Sequence, residues 1–149
     1  MIQAMEWLRK QGSKDLSKEI PAILYNARID HYIDKQQLHA LIELKGVKFF
    51  ICFFRKGGWS YGKRFQGEPG TGCDRKKYDM FLDIQRKTKI QVAFVIWNES
   101  ENCFIFKPLD QLPKPSIAFK GMKKTSKPEI TMWPVDEFAR EVYVQPKLI

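Results

Sequence analysis

Two short apolar runs constrain this chain most: "FFICFF" at 49–54 and "VAFVIW" at 92–97. Neither approaches the roughly 20 residues that a membrane helix needs. The second is bounded by polar residues and reads as a central strand covered on both faces, since both of its alternating sides are apolar. A fold that covers such a strand needs a real core. The chain has the material for one, with 149 residues, 44% apolar content, 11 Phe and 4 Trp. That fits one domain over residues 1–149 and excludes a wholly disordered chain.

The flanking patterns predict an α/β arrangement. "IQAMEWLRKQ" carries apolar residues at 2, 5 and 8, a helical spacing that Gly12 ends. Pro21 breaks any helix that Asp15 to Ile20 begins, so that segment is ambiguous. "ARIDHYID" (27–34) alternates as a strand, "DKQQ" supplies a turn, and "LHALIELK" (38–45) resumes a strand. The stretch "KGGWSYGKRFQGEPGTG" holds six glycines and is expected to be loop. Asp74 then caps a predicted helix, "RKKYDMFLDIQRKTK", with Tyr78, Phe81, Leu82 and Gln85 on one stripe. "CFIFKPL" returns as a strand after "NESEN", and "PVDEFAREV" predicts a short final helix. These elements give a mixed sheet flanked by helices, with a core over about 1–112 and a basic extension from 113 to 149.

Charge points to a partner. The formal net charge is +9, more of one sign than solubility requires, and nucleic acid is the usual partner of such a surface. Cys52, Cys73 and Cys103 form no CxxC pair and lie far in sequence from His31 and His39, which argues against a zinc site or disulfide framework. Buried thiols, no apolar signal segment and no spanning helix give the expectation of a soluble, cytoplasmic protein away from membranes.

The stretch 27–46 gathers acids and a lysine. If 27–34 pairs antiparallel with 39–45, opposed residues sum to 73, and Asp30 faces Glu43 with their Cβ atoms about 5 Å apart. Lys45 lies two residues beyond Glu43 and shares its face. Two adjacent carboxylates repel unless a cation sits between them, which suits a divalent metal. Asp34, roughly 13 Å further along at about 3.3 Å per residue, belongs to the turn. A second hairpin also fits, 39–45 against 47–55. It would put Glu43 near a tight turn and make Arg55 or Lys56 the nearest basic candidate.

Asp30 followed by "Glu43-Leu44-Lys45" resembles the D…(D/E)xK signature of the PD-(D/E)XK nuclease superfamily, which includes restriction enzymes, junction resolvases and some homing endonucleases. The element order also looks like that family: a helix, a metal-binding hairpin, a helix, then two strands. The resemblance covers about residues 1–112 and implies a restriction-endonuclease-like core. It further implies Mg2+ or another divalent cation on Asp30 and Glu43, with Lys45 helping to activate water. The family often adds a first-helix glutamate, and Glu6 is the match, with Glu19 in reserve. Ile29 stands where many members have proline.

From Lys45 to Gly67 there are six basic residues and no acid, interleaved with Trp59, Tyr61 and Phe65. Cations there and downstream form the expected DNA-binding set: Lys56, Lys63 and Arg64, then Arg75, Lys76 and Lys77 at a helix start, then Lys120, Lys123 and Lys124 in a basic loop. The reading is therefore a metal-dependent DNA endonuclease, site-specific or structure-specific, acting as a dimer or tetramer because a duplex has two strands to cut. The rival is a non-catalytic basic nucleic-acid-binding module whose acids are surface decoration.

Overall fold

The computed structural model describes residues 2–29, 38–56, 70–98, 103–119 and 129–134. In these the chain is α/β, and a five-stranded mixed sheet organises it. Helix α1 (Ile2–Lys10) leads into the two-residue strand β1 (Lys14–Asp15), a 3-10 turn (Ser17–Glu19) and helix α2 (Ile20–Asn26). Strands β2 (Ala40–Leu44) and β3 (Val47–Lys56) form a hairpin. Strand β4 (Gly70–Asp74) precedes helix α3 (Arg75–Thr88), followed by β5 (Gln91–Asn98), β6 (Cys103–Pro108), β7 (Ser116–Phe119) and β8 (Glu129–Pro134).

The sheet order is β1-β2-β3-β5-β6. β3 and β5, which hold the two apolar runs, are its parallel pair, with α3 in the crossover between them. All other neighbours in that sheet are antiparallel. A parallel pair needs such a crossover, and a crossover helix needs an apolar face beneath it.

Alternation along the strands sends side chains to two cores. On one face Leu41, Phe50, Cys52, Phe94, Ile96 and Ile105 pack with Leu24 of α2 and with Phe81 and Ile84 of α3. On the other, Ile42, Leu44, Phe49, Ile51, Val95 and Phe106 pack under Ala4 and Leu8 of α1. Each fully buried large apolar side chain contributes about 1.5–3 kcal/mol relative to exposure. A smaller sheet, β4-β8-β7, joins the first core through Cys73 and Trp133. Trp133 stacks edge-on against Tyr78 and Phe94, and its indole N–H donates to the Pro113 carbonyl at 2.7 Å.

Several sequence expectations change. Pro21 starts α2 instead of preventing it, because a missing N–H costs nothing in the first helical turn. Ala27 and Arg28 close that helix, so the strand expected over 27–34 does not begin there, and 30–37 lie outside the described residues. Gly70 and Gly72, expected in loop, are in β4, and Ser116–Phe119 of the expected basic loop is strand β7. On α3 the buried positions are Phe81 and Ile84, while Leu82 is 38% exposed. Gln85 has a different role: its side chain accepts from Val92 N–H at 2.8 Å and donates to Asp110 at 3.1 Å, tying α3 to β5 and to the segment after β6. The expected final helix lies outside the described residues.

Candidate functional site

The hairpin around Glu43 is the one between β2 and β3. Its two-residue turn is Lys45-Gly46, both with positive φ (51° and 80°), as a type I′ turn requires. Such a turn matches the twist of the flanking strands, and glycine adopts its second position without strain. Lys45 is therefore an exposed turn residue, not a strand neighbour of Glu43.

Register decides what surrounds Glu43. It stands opposite Lys48 on β3 and opposite Lys14 on β1. Both flanking positions are thus filled, and the pairing of Asp30 directly across from Glu43 is not formed. Asp30 itself lies outside the described residues. Nor is Arg55 or Lys56 the nearest cation. Lys56 is eight residues along β3 from Lys48, about 26 Å at roughly 3.3 Å per residue.

The row Lys14–Glu43–Lys48 faces the same side as Leu41 and Phe50. On that side the 3-10 turn brings Glu19, whose Oε1 lies 3.8 Å from the Lys48 Nζ. Asp15 shapes this approach by accepting from the backbone N–H and hydroxyl of Ser17, whose Oγ in turn accepts from Leu41 N–H at 3.1 Å. Glu6 is an exposed residue of α1, which covers the opposite face. The sheet therefore separates Glu6 from Glu43, while the reserve candidate Glu19 shares its face.

The described members of the expected DNA-binding set, Lys56 and Arg75 to Lys77, fall elsewhere. Because β3 and β5 are parallel and α3 returns between them, Lys56 and the start of α3 occupy the end of the sheet opposite the β2–β3 turn. Arg75 and Lys76 are exposed there and Lys77 is half-buried. Arg75 reaches Asp79 one helical turn on, at 3.9 Å, which offsets an otherwise unfavourable cation at a helix N-terminus. Lys63, Arg64, Lys120, Lys123 and Lys124 lie outside the described residues.

Two polar residues have roles that the sequence did not announce. His39 Nδ1 accepts from Phe53 N–H at 2.8 Å while its own backbone N–H donates to the Ile51 carbonyl. The imidazole thus stands in for a backbone acceptor at the open end of the hairpin. Lys107 is buried on β6 opposite Phe94. The alternation of "CFIFKPL" put it on the same side as Ile105, which was the available signal.

Among the described residues, no group of three His, Cys, Asp or Glu is placed to hold a metal ion, and no helix is long and apolar enough to cross a membrane. Cys52 and Cys73 are buried without a disulfide. Compared with protein-family models, curated proteins and solved structures, the chain matches no family model, no curated protein and no solved structure.

Proposed function

We propose that this chain acts on DNA as a metal-dependent endonuclease with a restriction-endonuclease-like core, assembling as a homo-oligomer. One observation carries the reading. Helix α1, a hairpin bearing Glu43, the crossover helix α3 and two further strands come in that order, with β1, α2 and β4 interposed, and the hairpin joins β5 and β6 in one mixed sheet on a chain of net charge +9. That is the order the D…(D/E)xK resemblance implies, and the charge suits a polyanionic substrate.

The described residues supply no divalent-cation site of their own. In the strand register Glu43 stands between two lysines, Lys14 and Lys48, and not beside a second carboxylate. The endonuclease reading therefore needs Asp30 as a second carboxylate near Glu43. That register favours a second reading, a non-catalytic nucleic-acid-binding module in which Glu43 is surface decoration among lysines.

The deciding experiment assays duplex, junction and single-stranded DNA with and without magnesium, for the natural chain, Asp30→Asn and Glu43→Gln. Magnesium-dependent cleavage lost in both variants, with binding retained, supports the endonuclease. Binding without cleavage on every substrate favours the module. Absence of any binding rejects both.

A further inference from the structure

Among the described residues the non-glycine positions with positive φ are Arg28 (59°), Lys45 (51°) and Lys89 (62°). Every one is a cation. A side chain with a Cβ is disfavoured in this left-handed region, where glycine and asparagine are the usual occupants. Turn chemistry asks for those residues at each place. Lys45 is the first central residue of a type I′ hairpin turn, which prefers Asn before Gly. Lys89 and Arg28 follow the ends of α3 and α2, where glycine commonly closes a helix. Local stability does not select lysine or arginine at such positions.

Lys45 and Lys89 belong to one end of the sheet. Phe49 pairs with Gln91, so Lys89 comes level with the beginning of β3, beside the turn that holds Lys45. Their backbones are on the order of 10 Å apart, two strand spacings. Lys14 and Lys48 lie next to them in the row through Glu43, and Lys18 adjoins Glu19. All of these lysines are exposed, and no ion pair is recorded for Lys14, Lys45 or Lys89 among the described residues. Glu19 and Glu43 offset only part of this charge.

We infer that the β2–β3 turn end of the sheet is a phosphate-contacting surface, on which Lys45 and Lys89 occupy strained turn positions in order to meet a nucleic-acid backbone. This rests on the nucleic-acid reading above and deepens it. It puts contacts at the end opposite Lys56 and Arg75–Lys77. Strain kept at a site that a commoner residue would relieve is a recognised mark of function.

The test opposes stability to binding. Lys45→Asn combined with Lys89→Gly removes both the strain and the charge. The melting temperature should rise by a few degrees. Affinity for a short fluorescent duplex of arbitrary sequence should fall, with the slope of log K against log salt reduced by about 0.9 per lost contact. Lys14→Gln with Lys48→Gln, at unstrained strand positions, should lower affinity and slope in the same way without raising the melting temperature. Unchanged affinity and slope in both variants, or a lower melting temperature for the first, overturns the inference. If the natural chain binds the duplex and the variants bind equally, this surface alone is rejected. If the natural chain binds no DNA, the nucleic-acid reading falls with it.

Discussion

Lys48 stands directly opposite Glu43 across the β2–β3 hairpin and also reaches Glu19, at 3.8 Å between Nζ and Oε1. The Glu19 contact is an ion pair, whereas the relation to Glu43 is one of strand register. Both partners in the Lys48–Glu19 pair are close to half exposed, so water and salt screen it strongly. Glu19→Gln should change unfolding free energy by less than about 1 kcal/mol, read from urea titration.

Glu43→Gln separates structure from chemistry. It leaves Lys14 and Lys48 flanking an uncharged residue, a change on the scale of one cross-strand pair, about 0.2–1 kcal/mol. The endonuclease reading expects complete loss of cleavage beside that small stability change. Full cleavage by the variant would remove Glu43 from the site.

His39→Ala should destabilise the hairpin by about 1–3 kcal/mol, because the Phe53 N–H loses its acceptor in a partly buried setting. His39→Asn offers a carbonyl oxygen in place of the ring nitrogen and should recover part of the loss. Amide exchange at Phe53 reports the bond directly, with faster exchange expected in the alanine variant.

Trp133 joins the smaller sheet to α3 and β5, and is 1% exposed. Trp133→Ala should cost about 3–5 kcal/mol, the range for truncating a large buried aromatic. Trp133→Phe keeps most of the apolar contact but abandons the bond to Pro113, and should cost clearly less. Equal losses would mean that the hydrogen bond and not the packing dominates.

The pH response has two limbs. Burial raises the Tyr78 phenol above its ordinary 10.0, with Asp79, Cys73 and Asp110 acting in the same direction. The folded state therefore favours the protonated phenol. That contribution is full below pH 10 and is lost as pH climbs through the raised folded value. Absorbance titration should place Tyr78 above an unperturbed tyrosine, and Tyr78→Phe should flatten the alkaline fall in stability. On the acid side, burial alone would raise Asp83, but hydrogen bonds from Lys87 and Arg86 and their charges outweigh it, and the carboxyl is lowered below 3.8. Its contribution is full above 3.8 and lost as pH falls through the lowered folded value, so Asp83→Asn should shrink the acid limb.

Much of the sheet was legible in the sequence because apolar periodicity is a local property. The runs at 49–54 and 92–97 became the paired central strands β3 and β5, and the stripe after Asp74 became α3. Composition alone also determined the strongly basic character. What the sequence left open was register. Alternation favoured a hairpin of 27–34 with 39–45 and also allowed one of 39–45 with 47–55, which differ in which strand comes to lie against β2. Tertiary structure decided it, since β1 and β3 occupy both sides of β2 and give Glu43 two lysine neighbours. Among the described residues it also decided that Lys45 and Lys89 share one end of the sheet and Lys56 the other, through the parallel return of β5. Alternation tells which residues share a face, but strand partners come from contacts distant in sequence. The chemistry near Glu43 depends on those partners.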